Sequence, residues 1–288
     1  MADAETNIPK SKAMGADSIF LLTYPKDIDN ARRSSATDML IKGIGLAHEN
    51  GMAAIITLDR SKWSKNIKNE FFTNADARAQ YINDFQYVLD TYPTLDGILV
   101  EEPTAEVAAP KDSELRAMYL AFNNQFFSEL DTLVKAKNEP DFWFGFSTGT
   151  NGDDGLLGVG LDMEYFRNQN IWNGYFISAG GADVAQYNVL KTNWDKRLPD
   201  RYGVTAVFLQ STSLLKSPDC VAYQDWNCWN QNFWGLFRYT NANNIPIMIF
   251  DLSKTSASEV YWPADQSGET WSSNEKTSGD KIKAILSG

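Results

Sequence analysis

Short apolar runs alternate with longer amphipathic segments along almost the whole chain, and this alternation constrains the fold more than any other feature. Each run is bounded by Gly, Pro, Asn or Asp, as is typical of a buried strand. Buried strands that alternate with helices predict a parallel sheet covered by helices. The predicted strands cover residues 18–24, 53–59, 96–102, 142–148, 174–179, 205–211 and 246–252.

The segments between these runs have the 3.6-residue period of helices. Apolar residues recur at helical spacing within 75–92, and in 113–136 a continuous apolar stripe begins at Leu115. A helix over 37–50 is predicted to end at Gly51, because glycine readily adopts the left-handed conformation that terminates helices. Further helices are predicted over 161–169, 182–196, 222–241 and 274–286.

These elements predict an α/β fold, a (β/α)8 TIM-type barrel in which the eighth strand, at 259–262, is degenerate. A barrel of roughly 250 residues is commonly one domain. We therefore expect a flexible lead-in over 1–17 and a single barrel domain over 18–288. The alternative is a doubly wound open sheet. That fold usually carries a glycine-rich loop after its first strand, whereas residues 23–35 contain no glycine.

The charge of the chain argues against two classes of partner. Its formal net charge of −11 would repel both nucleic acid phosphates and anionic lipids. No stretch approaches the roughly 20 apolar residues that a membrane span requires. The only histidine, His48, lies near the end of a predicted helix and is interpreted as structural. A histidine-rich metal site is therefore excluded. A Ser-His-Asp or Cys-His mechanism is also excluded unless His48 is its histidine.

From the second predicted strand to the seventh, each apolar run ends in a polar residue that can be placed on one alternation phase. Active sites of TIM-type barrels lie at the C-terminal ends of the strands, so we expect the polar residues to form a ring there. Glu102 begins the loop after the third strand and can also face this ring. The predicted ring comprises Asp59, Glu101, Ser147, Ser178, Gln210 and Asp251.

Carboxylates that face each other across a barrel mouth can divide acid and base roles, because crowding raises the pKa of one of them. Hydrolysis of a glycosidic bond needs such a pair. The predicted catalytic residues are Glu101, Glu102, Asp251 and Asp59, acting without a metal or another cofactor. Two alternatives remain: the acids cap the following loops, or they hold a divalent cation such as Mg²⁺ or Ca²⁺ on oxygen ligands.

Aromatic side chains are abundant, with 9 Trp, 12 Tyr and 16 Phe. Sugar rings present apolar C–H faces that pack on such side chains. Tyr24, Trp63 and Trp262 fall in predicted strand-end or loop positions and are candidate substrate-binding residues, together with Ser147, Ser178 and Gln210 from the ring. The tryptophans of the predicted helix at 222–241 and its approach are better explained as core residues.

Two cysteines, Cys220 and Cys228, lie eight residues apart, a spacing that fits neither a zinc site nor a redox CxxC motif. We predict a disulfide between them; the alternative is two buried thiols. A disulfide favours an extracellular, cell-surface or periplasmic location. Residues 1–17 lack the apolar segment of a signal peptide.

The strand DGILVEEP, from Asp96 to Pro103, resembles the acid-bearing strand of several barrel-type glycoside hydrolases. In the large clan A, whose fourth strand ends Asn-Glu-Pro, the glutamate is the acid/base. The matching residue is Glu102, with Glu101 in place of the asparagine and with the strand third in order. The opening IFLLTYP and the paired acids are also similar to spherulin-4-like barrels, whose Asp-Glu pair corresponds to Glu101 and Glu102.

The residues and the resemblance together favour an enzyme that hydrolyses a glycosidic bond in a poly- or oligosaccharide. Glu102 or Glu101 would donate the proton, and another acid of the ring would act as base or nucleophile. One alternative is a non-catalytic carbohydrate-binding barrel that uses the same cleft. The other is a lyase or isomerase in which the acids hold a divalent metal.

Overall fold

The structure is a computed structural model of the 288-residue chain. It describes residues 2–23, 28, 39–58, 75–101, 113–148, 174–178, 206–210, 238, 241–242, 247–250, 280, 283–284 and 286–287.

Helices and strands alternate along the described chain. The helices are α1 (Ala2–Ala13), α2 (Met39–Glu49), α3 (Ala75–Thr91) and α4 (Glu114–Ala136). The strands are β1 (Ser18–Thr23), β2 (Ala53–Leu58), β3 (Gly97–Glu101), β4 (Trp143–Thr148), β5 (Gly174–Ser178), β6 (Ala206–Gln210) and β7 (Ile247–Phe250).

The strands follow one another in the sheet in chain order, from β1 to β7. The registered pairs β1–β2, β2–β3, β3–β4, β5–β6 and β6–β7 are all parallel. All seven predicted strands are thus confirmed, each within two residues of its expected ends. The predicted eighth strand, at 259–262, lies outside the described residues.

The chain divides into two compact units. The first contains Asp17–Tyr175 and so carries β1 to β4 with helices α2 to α4. The second contains Ala2–Ala16 and Phe176–Gly288. Within the second unit, Ile8 and Ser11 of α1 are buried, and so is Met14 directly after the helix.

Residues 2–13 form a helix where the sequence led us to expect a flexible lead-in. The helix is followed by Gly15, whose φ of +102° is open to glycine and strained for other residues. A methyl group built on Gly15 would lie 3.0 Å from Leu286 Cδ1, so the chain after α1 packs closely against the C-terminal segment. This packing depends on residues more than 270 positions away, which local sequence patterns do not register.

One face of the sheet in the first unit packs against helices. Phe144 of β4 makes an edge contact with Phe85 of α3, with ring centroids 5.8 Å apart. Tyr81 of α3 donates its hydroxyl hydrogen bond to the carbonyl oxygen of Leu58. Ala54, Ile56, Ile98 and Val100 have no exposed surface. These contacts define the helix-facing alternation phase of β2, β3 and β4.

The opposite phase forms the inner face. Phe20, Ile55, Gly97 and Trp143 are partners across β1 to β4. The Phe20 and Trp143 rings meet edge to face at 6.1 Å, although their strands would stand about 14 Å apart in a flat sheet. The inner face is therefore concave, as in the wall of a barrel.

Helix α2 ends as its sequence predicts. Gly51 has a φ of +63°, and its amide donates to the carbonyl of His48, while the Met52 amide donates to Ala47. The longer α4 begins at the N-cap Ser113, whose hydroxyl accepts a hydrogen bond from the Arg116 amide.

The apolar stripe predicted for α4 is wrong at its first residue, because Leu115 is 40% exposed. Arg116 is buried instead, on the face that also carries Tyr119 and Phe126. At 100° per residue, Arg116 lies near the centre of this face and Leu115 lies at its edge.

No helix in the described part of the chain is long and apolar enough to cross a membrane.

Candidate functional site

The candidate site begins at the C-terminal ends of β3 and β4. Glu101 is the last residue of β3, and its register partner on β4 is Ser147. Counting back by twos from Glu101 leads to Leu99 and Gly97, the inner-phase positions of β3. The backbone therefore gives Glu101 and Ser147 neighbouring positions at the end of the sheet where TIM-type active sites lie.

One register layer below, the inner positions are Leu22, Thr57, Leu99 and Gly145. Thr57 Oγ1 is buried, and it finds no hydrogen-bond partner among the residues described here. A buried hydroxyl without a partner is uncommon and calls for an explanation. The layer beneath the candidate acid is therefore not simply an aliphatic core.

The six-membered ring of Trp143 occupies the space that a side chain at position 145 would fill. A methyl group built on Gly145 would overlap Cη2 of Trp143 and would lie 2.5 Å from its Cζ2. The ring therefore extends from position 143 toward position 145, which is the direction of the C-terminal end of β4. We call the Trp143 ring, lying over Gly145, the aromatic floor.

The aromatic floor is partly exposed, whereas the residues flanking Trp143 are buried, with Phe142 at 4% and Phe144 at 2% exposure. Alternation of the strand explains this difference, since Phe144 faces α3 and Trp143 faces the concave side. The sequence places Trp143 and Gly145 on the inner phase with Ser147. It did not indicate that a ring would fill the space above a glycine two residues away.

Two further predicted ring residues lie at strand ends in the second unit. Ser178 ends β5 and pairs with Phe208, and Gln210 ends β6 and pairs with Phe250. Six other predicted site residues lie outside the described residues: Tyr24, Asp59, Trp63, Glu102, Asp251 and Trp262. The same holds for the predicted disulfide cysteines, Cys220 and Cys228.

The phase expected for β7 is wrong. The predicted ring can include Asp251 only if Ile247 and Ile249 share the phase of Phe208 and Gln210. In the structure, Phe208 pairs with Met248, and Ile249 pairs with Leu209. Hydrophobic runs that are apolar on both faces, such as PIMIF, give no periodicity from which to choose a phase.

His48 takes part in a polar contact at the other end of the strands. Its Nε2 lies 2.8 Å from Asp96 Oδ2, and the same carboxylate oxygen accepts a 2.7 Å hydrogen bond from the Ala54 amide. Asp96 immediately precedes β3, so this contact joins the end of α2 to the entrances of β2 and β3. Residues at this end of a barrel serve stability rather than catalysis.

Asp131 of α4 is a described carboxyl group with an altered proton affinity. Burial raises its pKa above the ordinary 3.8, and the hydrogen bond and charge of Lys135, at 2.6 Å, oppose that rise only in part. It lies on a helix, away from the strand ends. Among the residues described, no group of three or more His, Cys, Asp or Glu side chains could hold a metal ion.

Comparison with solved structures shows which known proteins have a fold similar to that of this chain. The chain is similar to a thermostable, halotolerant GH5 cellulase from an Icelandic hot spring isolate, with a TM-score of 0.57, 18% identity, and coverage of 99% of this chain and 84% of that chain. It is also similar to a trimodular GH5_4 subfamily endoglucanase, with a TM-score of 0.62 at 12% identity. There the match covers 99% of this chain but only 56% of the other.

A third similar structure is a D-psicose 3-epimerase from Clostridium cellulolyticum H10, with a TM-score of 0.50 at 12% identity, covering 100% of this chain and 92% of that chain. These neighbours are TIM barrels, and the likeness shows that this chain has an α/β fold of the TIM-barrel type. The sequence matches no protein family, and no curated protein matches it either.

Proposed function

We propose that this protein is a glycoside hydrolase-like enzyme that cleaves a glycosidic bond in a poly- or oligosaccharide. The observation that carries the proposal is the position of Glu101, at the C-terminal end of β3 and in register with Ser147. The proposal is also supported by the structural neighbours of the chain, which are TIM barrels and include a cellulase and an endoglucanase.

The proposed catalytic group consists of the paired glutamates at the end of β3 and of two aspartates, one following β2 and one following β7 in the chain. The described register ends at Thr23 and Leu58 of β1 and β2. Tyr24 and Asp59 are the next residues of the chain after these two strands. The proposed catalytic residues are Glu101, Glu102, Asp59 and Asp251, the last as a residue that follows β7 in the chain and no longer as a member of the inner phase. The proposed sugar-binding residues are Tyr24, Trp63, Ser147, Ser178, Gln210 and Trp262.

In the proposed mechanism, one glutamate of the pair protonates the oxygen of the leaving group. A second carboxylate either attacks the anomeric carbon or activates a water molecule. A separation of about 5–5.5 Å between the two carboxyl groups gives retention, and about 6.5–9.5 Å gives inversion. Neighbouring carboxylates hinder each other's ionisation, which keeps one of them protonated near neutral pH.

Glu102→Gln and Glu101→Gln test the mechanism separately. Glutamine preserves shape and hydrogen bonding but cannot supply a proton. The variant at the acid position should lower kcat on a natural polysaccharide by about 10²–10⁴-fold, the usual contribution of a general acid. Activated glycosides with a fluoride or nitrophenolate leaving group should be much less impaired, because those groups need little protonation.

Glu139→Gln is the matched control, since Glu139 is exposed and lies just before the entrance of β4, at the opposite end from Glu101. Its kcat should equal that of the wild type. Wild-type rates in both paired variants would make the pair structural and the proposed mechanism wrong. A wild-type protein that binds several saccharides and cleaves none would instead be a carbohydrate-binding barrel.

We also propose that the protein works outside the cytoplasm and that Cys220 and Cys228 form a disulfide. Support comes from the even number of cysteines and from a spacing unlike that of metal or redox motifs. Thiol titration of the denatured, unreduced protein should find no free thiol. Two free thiols per chain would remove the basis for this location.

A further inference from the structure

Trp143 has no role in the mechanism proposed above, yet its setting differs from that of an ordinary core tryptophan. Glycines stand at the neighbouring inner positions 97 and 145, and the ring lies in the space that a side chain at 145 would take. Phe20 braces the ring from β1. The ring is thus held in one place by backbone and by a second aromatic side chain, while remaining partly exposed.

The position of the ring relates it directly to the candidate acid. Position 145 lies one register layer below Ser147, and Ser147 pairs with Glu101. Two residues of strand correspond to roughly 7 Å, about the thickness of a packed sugar ring with its contacts. A ligand seated at the ends of β3 and β4 would therefore meet the aromatic floor beneath it.

We propose that the aromatic floor is a saccharide-contacting subsite, in which the Trp143 ring packs against the apolar C–H face of the sugar bound at the ends of β3 and β4. The inference rests on the proposed function for the presence of a sugar. It adds a binding residue and a substrate class, namely a pyranose with an unhindered C–H face. The glycine at 145 is part of the subsite because any larger residue would displace the ring.

Gly145→Ala tests the floor without removing the tryptophan, because the added methyl group overlaps the ring and must push it aside. Gly45→Ala is the matched control: a methyl group there, on α2, has no atom within 4 Å. Trp143→Phe is the second variant, since it keeps an apolar ring but shortens its reach. Circular dichroism and thermal denaturation would establish that each variant is folded.

Binding is measured by isothermal titration calorimetry with cellotetraose and with chitotetraose, in the background of whichever of Glu101→Gln and Glu102→Gln abolishes turnover. An aromatic contact is worth about one tenfold step in affinity. Gly145→Ala should therefore weaken binding about tenfold, and Trp143→Phe should weaken it severalfold. Gly45→Ala should leave the affinity unchanged. If Gly145→Ala does not fold, Trp143→Phe decides the question alone.

The outcomes separate this inference from the proposed function. Saccharide binding that both floor variants leave unchanged would overturn the floor and leave the hydrolase proposal standing. Binding that is lost in the floor variants, in a protein that cleaves no saccharide, would support the floor and overturn the hydrolase. A wild-type protein that binds neither tetrasaccharide and cleaves neither parent polysaccharide would overturn both.

Discussion

Gly97→Ala probes the close approach of β3 and β4, on which the position of Glu101 depends. A methyl group at position 97 would lie 2.6 Å from the carbonyl oxygen of Trp143 and 2.9 Å from its Cβ. Neither atom can rotate away, so the strands must separate by about 0.8 Å to restore an ordinary 3.4 Å contact. Overpacking of this kind costs about 1–3 kcal/mol of unfolding free energy.

Part of that cost is offset, because alanine restricts the unfolded chain and so favours folding by roughly 0.4–1 kcal/mol. A net loss of about 1–2 kcal/mol corresponds to a fall in Tm of about 2–8 °C for a chain of this size. Differential scanning calorimetry would measure it. Gly45→Ala, in open space on α2, should have a Tm equal to or above that of the wild type. A Gly97→Ala protein as stable as Gly45→Ala would refute the strand spacing described here.

The surroundings of Asp131 and His48 give two predictions about stability, and the proposed metal-free catalysis gives a third. Because burial raises the pKa of Asp131 above 3.8, its contribution to stability is greatest below that pH and falls as pH rises through the folded pKa. The free energy of unfolding of Asp131→Asn, measured by urea denaturation, should therefore rise relative to that of the wild type between pH 4 and pH 7. A difference between the two proteins that does not change with pH would contradict this. His48→Ala should cost 1 kcal/mol or less, since the contact with Asp96 is more than one-third exposed on both sides; a urea-measured loss above about 2 kcal/mol would be too large for such a contact. If the acids are a proton-transfer pair, exhaustive chelation should leave activity or ligand binding unchanged, whereas a loss restored by Mg²⁺, Mn²⁺ or Ca²⁺ would favour the metal-dependent alternative.

The sequence alone determined the seven described strands and the helices α2, α3 and α4 that separate the first four of them. The seven strands that the structure describes were all predicted, because a buried parallel strand must be an apolar run and a turn residue must interrupt it. The end of α2 at Gly51 could also be predicted from local sequence, since it depends on one glycine with a positive φ. The register of Glu101 with Ser147 also agrees with a phase chosen from the sequence.

Other features depended on contacts between distant segments, and the sequence misjudged or missed them. Leu115 is exposed, because the rotation of α4 is fixed by where its middle packs and not by its first apolar residue. The phase of β7 was wrong, because a run that is apolar on both faces carries no alternation.

The aromatic floor shows most clearly what only tertiary structure decides. Both Trp143 and Gly145 are visible in the sequence, and strand alternation places them on the same side of β4. That the indole ring fills the space over the glycine, braced by Phe20 two strands beyond β3, follows only when the sheet curves and its inner side chains converge. Local propensity fixes which way a side chain faces, but packing against distant strands fixes what it reaches.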